Sequence, residues 1–397
     1  MSPAPPSPDH DSRIRLIVLF GGRSAEHDVS CVSARHVVAA ADPARYDIEP
    51  IGITREGRWV LADAAMKALA GTGAGSGLPE RLTATGPAVD ALPTLTRPTT
   101  ANDPGTTTTV VLPILHGPMG EDGTIQGLLE LAGVPYAGAG VLASALCMDK
   151  VAAKNHLGAH GLPQGRYRWM TVDTDGRVQR PDGSASTVAA EVEAAVEDLG
   201  LPVFVKPANM GSSVGVTRAT TIEDAMVAVE LAASYDRTVL LEEEIAGREI
   251  EVGVLGNESP EASVAGEIVP GADFYDYDDK YGAGADLRIP APLTDEELAE
   301  VQQLAIAAVR ALGVEGLARV DFFYERFHER FHEGGGDGAG RGWLINELNT
   351  MPGFTPISMY PKLWAESGVS YSDLIDRLVE LALARHQRKR SHTRTDH

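Results

Sequence analysis

Arg319 and Asp321 stand two apart in the apolar run at 317–323, and Glu347 and Asn349 stand two apart in the run at 343–349. Side chains two apart on a strand share a face. If the two runs pair as a hairpin, two carboxylates, an amide oxygen and a guanidinium meet on one patch. Hard oxygen donors without Cys or His suit Mg²⁺, which keeps several waters and shares the phosphate oxygens of a substrate. A fixed Arg beside such an ion meets developing negative charge. The alternative is a surface hairpin with ordinary ion pairs. Against it, an Asp inside an apolar strand is costly to bury without a partner.

Other stretches add to this chemistry. Lys206 closes an apolar run at 202–207 and leads into Gly211-Ser212-Ser213-Val214-Gly215. A Gly/Ser hairpin next to a lysine can close over phosphates with backbone N–H donors, though an ordinary turn reads the same way. No Walker-A motif occurs in the chain. Glu26 follows a glycine turn at 21–22, where it is either a first-turn helix acid or a ligand for an ammonium group. Residues 273–285 mix aromatics, acids and glycines around Lys280-Tyr281, the composition of a loop that orders on ligand binding. His328-Glu329-Arg330-Phe331-His332 matches the pattern of zinc metalloproteases, which needs a helix. Here it is a doubled Glu-Arg-Phe-His unit between two strands, and the expectation is an extended hairpin arm.

The elements that must position these residues follow from periodicity. A buried strand at 15–20 runs through the glycine turn into a helix with Val29, Val32, Ser33, His36 and Val37 on one side. Strand, glycine turn, helix opens a βαβ unit whose ligand site lies at the strand's C-terminal edge. Strands are expected at 47–54, 58–61 and 110–115, with a loose excursion over 70–108. One helix is expected over 141–160, carrying Lys150 and Lys154, and another at 188–199. A strand at 239–245 is expected to pair with one at 251–256. Thr294 caps a long helix, and an amphipathic helix over 371–388 precedes a basic tail.

Hydrophobic residues make up 43% of the chain and charged residues 23%, ordinary for a globular protein. The formal charge of −22 argues against nucleic acid as the main partner. Two cysteines, Cys31 and Cys147, do not make a disulfide framework and fit a reducing cytoplasm. The first residues lack the apolar core of a signal peptide, and no run reaches the length of a membrane span. The expectation is a cytoplasmic protein without membrane or nucleic-acid partners.

Taken together, the motifs resemble those of the D-alanine–D-alanine ligases of the ATP-grasp superfamily, over roughly residues 14–385. Gly21-Gly22-Arg23-Ser24-Ala25-Glu26, His116-Gly117 with Gly120-Glu121-Asp122-Gly123, and Met148-Asp149-Lys150 come first. Val205-Lys206-Pro207 with the Gly/Ser turn, Lys280-Tyr281, Arg319-Val320-Asp321 and Asn346-Glu347-Leu348-Asn349-Thr350-Met351-Pro352-Gly353 continue it, and Ser358-Met359-Tyr360-Pro361 closes it. Each motif alone is weak; the ordered set is specific.

The resemblance implies ligation of two D-alanines through an acyl phosphate, with ATP going to ADP and phosphate. It implies two Mg²⁺ (Mn²⁺ substituting) on Asp321, Glu347 and Asn349, and phosphate contacts from Lys150, Lys206 and Lys280. Glu242, Ile245 and Glu249 line the adenine and ribose pocket in this reading. Glu26 takes the first D-alanine's ammonium, and Ser358 with the Met359 N–H takes the second one's carboxylate. Arg319 and the Gly353 N–H meet the tetrahedral oxyanion, and Ser212 and Tyr281 join Glu26 in a triad. The implied α/β (α+β) ATP-grasp fold has three domains: a doubly wound α/β domain at 13–148, a small α+β domain at 149–246 and a catalytic α+β domain at 247–386. A disordered tail at 1–12 and a frayed basic tail at 387–397 flank them, and a homodimer is implied. A sibling ligase taking D-lactate or D-serine second is the nearest alternative; a zinc protease and a non-catalytic nucleotide-binding regulator are more remote.

Overall fold

The computed structural model describes residues 13–72, 78–97, 106–180, 183–269, 286–327 and 339–392. Three sheets follow one another along the chain. The first contains β1 (Arg13–Gly21), β2 (Tyr46–Ile53), β3 (Trp59–Leu61) and β4 (Thr106–Ile114), in the order β3-β2-β1-β4. β1 is parallel to both β2 and β4. Its apolar run is buried on both faces, as parallel strands are: Leu16, Val18 and Phe20 face one core, Ile17 and Leu19 the other. Helix α1 (His27–Ala40) packs into the first core; α2 (Asp63–Thr72), α3 (Ala91–Thr96) and α4 (Thr124–Ala132) complete this part.

The second sheet, order β7-β6-β5-β10-β8-β9, comprises β5 (Tyr167–Val172), β6 (Arg177–Gln179), β7 (Ala185–Thr187), β8 (Val203–Pro207), β9 (Thr217–Ala219) and β10 (Thr238–Glu243). Helices α5 (Val141–Met148) and α6 (Lys150–Ala159) lead into it. Helices α7 (Val188–Leu199) and α8 (Ile222–Tyr235) cover it around Val192, Val203, Val229 and Val239. The third sheet, order β13-β12-β11-β14-β15, comprises β11 (Arg248–Gly256), β12 (Glu261–Val269), β13 (Asp286–Arg288), β14 (Gly316–Phe327) and β15 (Ala339–Asn349). Helix α9 (Asp295–Ala311) starts in the capping box of Thr294 and Glu297, as its sequence predicts. Helices α10 (Met359–Glu366) and α11 (Tyr371–His392) follow. α11 sends Leu374, Ile375 and Leu378 into the core under β1, so the chain's last helix closes its first sheet. Among the described residues no helix is long and apolar enough to cross a membrane.

Several expectations need correction. The helix expected over 141–160 is two helices, because Asp149 takes an extended backbone and its side chain accepts the Ala152 N–H at 2.9 Å. An Asp that can cap competes with helix continuation. The buried side of α1 is Ser30, Cys31, Ser33, Ala34, Val37 and Val38, so Ser33 and Val37 face inward as expected while Val29, Val32 and His36 are only half buried. β10 does not pair with β11: β10 lies between β5 and β8, and β11 between β12 and β14. The excursion at 70–108 is packed where it is described, since Leu82 and Leu95 are each 1% exposed. α11 continues to His392, beyond the point where a frayed tail was expected. His328 and His332, Lys280 and Tyr281, and the tails 1–12 and 393–397 lie outside the described residues.

Candidate active site

The hairpin of β14 and β15 forms as its alternation predicts. Arg319 pairs with Asn349 and Asp321 with Glu347, and across the other edge Asp321 faces Glu251 of β11. Three carboxylates therefore lie side by side on three neighbouring strands, an arrangement that repels itself without a cation. Arg319 supplies one. Its Nε and Nη2 each reach an Asp321 oxygen at 2.7 Å, and Nε lies 3.0 Å from Glu251. Burial works against its charge, but Asp321 and Glu251 overcome that and hold the guanidinium protonated well above its ordinary value. The Asn349 amide adds a donor to Asp321 at 3.0 Å.

This patch forms one wall of a cleft of about 520 Å³. Glu26, Lys150, Lys206, Ser212, Glu242, Ile245, Glu249, Arg319, Glu347, Asn349, Gly353 and Ser358 all line it; Asp321 sits beneath, bonded to Arg319 and Asn349. Every described residue that the sequence proposes for the site is thus in or directly under one cavity. The two carboxylates and the carboxamide are hard oxygen donors, of the kind that suits a divalent cation.

At the next wall stand three lysines. The break at Asp149 starts a new helix at Lys150, whose Nζ reaches the Met210 carbonyl at 2.6 Å. Lys206, near the end of β8, and Lys154, one turn beyond Lys150, both bind the Glu242 carboxylate, at 2.6 and 2.7 Å. Burial would raise the Glu242 pKa; the two ammonium groups outweigh it and hold it at about 2. A carboxylate depressed in the folded state stabilises fully above its usual 4.5 and loses that contribution as pH falls through about 2. Glu242→Gln should therefore cost about 3 kcal/mol at pH 7. By the same linkage the gap from wild type should narrow by roughly 40% at pH 3.5. Urea unfolding at both pH values measures it, and a gap that stays constant or widens in acid contradicts the pairing.

The β8–β9 hairpin is present, with Val203 opposite Ala219. Its turn is strained: Ser212 and Ser213 have φ of +50° and +58°, which side-chain-bearing residues rarely adopt. Such strain persists where surrounding structure imposes it. At Gly215 (φ +72°) a Cβ would lie 2.8 Å from the Tyr235 ring.

Glu26, 3% exposed, also lines the cleft. A Cβ on Gly117 would lie 2.4 Å from its Oε2, and one on Gly211 3.0 Å from its Oε1. Those two glycines let loops from two sheets close on one carboxylate. Glu121 accepts the Gly117 N–H at 3.0 Å and the Met351 N–H at 3.1 Å, joining the loop after β4 to the loop after β15. Burial pushes its carboxyl up to about 8. His116 contacts the Met351 carbonyl through Nδ1 at 2.9 Å, and burial lowers its pKa. Ser358 precedes α10, with its Oγ 3.1 Å from the Thr355 N–H, which donates to it, and 2.7 Å from Thr355 Oγ1.

Sequence reasoning assigned no role to Glu121, Lys154, Glu243 or Glu251. Lys154 had a readable signal, four residues after Lys150 on a helical stretch. Glu251 had none, because its partner strand lies far along the chain.

Comparison with known proteins decides what this cleft belongs to. The D-ala D-ala ligase N-terminus model matches residues 15–139, and the D-ala D-ala ligase C-terminus model matches residues 157–380. The chain belongs to the D-alanine–D-alanine ligase family. A D-alanine–D-alanine ligase of Geobacillus thermodenitrificans is 46% identical over 389 residues, covering 96% of this chain and 99% of the relative. The D-alanine–D-alanine ligase structure from Coxiella burnetii superimposes with a TM-score of 0.72 at 32% identity, covering 96% of this chain and 97% of that one. A D-Ala:D-Ser ligase structure from Enterococcus faecalis gives 0.71 at 31% identity, covering 94% and 99%. The three-sheet α+β architecture is the ATP-grasp fold of this family, as the ordered motifs imply.

Proposed function

We propose that this chain joins two D-alanine molecules into D-alanyl-D-alanine for peptidoglycan precursors, and that the row Glu251–Asp321–Glu347 around Arg319 is where ATP is spent. The family uses ATP and a divalent metal. In this reading the first D-alanine's carboxylate oxygen attacks the γ-phosphorus, ADP departs, and a D-alanyl phosphate forms. The second D-alanine's amine attacks its carbonyl carbon, and inorganic phosphate leaves with the C–O electron pair. Asp321, Glu347 and Asn349 would hold two Mg²⁺ or Mn²⁺ ions, which when bound neutralise the repulsion between triphosphate and carboxylate. Lys150, Lys206 and Lys280 contact phosphates, and Glu242, Ile245 and Glu249 line the adenine and ribose pocket.

Glu26 takes the first ammonium, and Ser358 with the Met359 N–H at the start of α10 takes the second carboxylate. Arg319 and the Gly353 N–H stabilise the oxyanion. The observation that carries this reading is that Glu251, Glu347, Lys150, Lys206 and Glu26 line one cleft with Asp321 directly beneath. We further propose that the three sheets mark domains at 13–148, 149–246 and 247–386, and that the enzyme works in the cytoplasm as a homodimer.

The choice of second substrate is assigned to Tyr281 with Ser212 and Glu26. Offered D-alanine, D-serine and D-lactate together between pH 6 and 9, the enzyme should make mainly D-alanyl-D-alanine. Tyr281→Phe should raise the ester-to-dipeptide ratio about 5- to 30-fold, the worth of one network hydrogen bond. Wild-type enzyme making mostly ester or D-alanyl-D-serine contradicts the assignment, as does an unchanged ratio in the variant.

A further inference from the structure

We propose that Arg341 is a positioning residue for the nucleotide: from a bulge in β15 it reaches across the seam between the second and third sheets and fixes the 243–247 edge of the cleft through Glu243. The inference rests on reading that edge as the adenine and ribose pocket.

The bulge is visible in the strand register. Glu325 faces Gly342 and Phe327 faces Ala339, so β15 spends one residue more than β14 over this stretch. An extra residue bends a strand and re-aims its side chains. Gly342 takes φ +76° with open space around its Cβ position, so backbone shape and not crowding favours glycine there. The Arg341 backbone N–H donates to Glu325 at 3.2 Å, and its Nε and Nη2 follow at 2.7 and 3.1 Å. Glu325 is 1% exposed, so this fork is anchored in the third sheet. The remaining arm, Nη1, donates to Glu243 Oε1 of β10 at 2.5 Å.

Glu243 is the receiving point on the other side. Its carboxylate also takes the Arg166 N–H at 2.6 Å and Arg166 Nε at 3.0 Å. Neighbouring residues on a strand point oppositely, so Glu242 turns to Lys154 and Lys206 while Glu243 turns to the two arginines. Glu243, Glu244 and Ile245 line the cleft as the chain crosses to β11. The segment behind them is tied to the same strand, since the Ile345 N–H donates to the Pro163 carbonyl at 2.9 Å. It is also close-packed: a Cβ on Gly165 would lie 2.7 Å from the Ile245 side chain. Arg341 itself does not line the cleft. Its effect must come through the edge it holds, and so should appear in nucleotide affinity and not in the chemical step.

The test uses the full-length enzyme with Arg341→Met and Arg341→Lys. Arg341→Met removes all three side-chain hydrogen bonds, of which only that to Glu243 crosses the seam, and the loss of that one charge-assisted bond should raise KM for ATP about tenfold. KM for D-alanine and kcat at saturating ATP should stay within about twofold of wild type. Arg341→Lys should recover part of the affinity, since it keeps the charge and loses the fork. An unchanged KM for ATP overturns the proposal. So does a fall in kcat alone with a lower unfolding midpoint, which a merely structural role would give. Glu242→Gln separates the layers. If it raises KM for ATP while Arg341→Met does not, only the role of Arg341 falls; if both leave it unchanged, the nucleotide does not sit in this seam.

Discussion

Asp321→Asn and Glu347→Gln should each cut kcat by a factor of about 10² or more while leaving the protein folded. Each swap keeps the side chain's shape, turns one acceptor oxygen into an NH2 donor and removes one unit of negative charge from the carboxylate patch. The triphosphate and the attacking carboxylate repel each other, and cations held at this wall, with the lysines, offset that repulsion. Folding should survive Asp321→Asn because Arg319 keeps Glu251, 3.0 Å from its Nε, as a charged partner. The loss should be partly recovered by raising Mg²⁺ or Mn²⁺, since a weaker site fills at higher concentration. Steady-state phosphate release across a metal titration, with unfolding midpoints as a control, makes the measurement. A loss below about tenfold at ordinary Mg²⁺ places the metal elsewhere.

The hairpin at the centre of the site was legible in the sequence because its polar residues fall at alternate positions in otherwise apolar runs. That pattern has one reading on a strand, and the register brings Asp321 opposite Glu347 as it requires. Glu251 was not legible. Its run reads equally well as a partner for β10, and the choice of β14 is made by packing between segments some seventy residues apart, which periodicity cannot encode. The break at Asp149 is a similar case: an Asp in a helical run is compatible with a solvent-facing position or with a cap. The structure takes the cap, and that choice sets Lys150 at a helix start facing the Gly/Ser turn.

The inward face of α1 was misplaced by about one residue, since the turn through Gly21 and Gly22 sets the helix rotation. Gly21 has φ +88°, with the Ile53 carbonyl 2.4 Å from where its Cβ would be. Glu26 could be read from sequence as a first-turn helix acid or as a ligand for an ammonium group; the structure places it at the N-cap of α1. Its burial against two glycines, with no side-chain cap hydrogen bond to α1, favours the second.

A cleft that activates the carboxylate of D-alanine should discriminate by hand, and this is the second large effect. With the ammonium at Glu26 and the carboxylate toward Arg319, as proposed above, the methyl group is left one direction. The opposite hand exchanges methyl and hydrogen against walls that include Gly117 and Gly211, which pack so closely on the Glu26 carboxylate that neither could carry a Cβ without displacing it. Inverting a centre in a rigid three-point site costs several contacts together, so discrimination of about 10² or more is expected. The decisive measurement is phosphate release from Mg-ATP with D-alanine, with L-alanine and with no amino acid, the product identified by mass spectrometry. Rapid release and D-alanyl-D-alanine are expected with the D form alone. Equal release with L-alanine, or release without dipeptide, would contradict the proposed function.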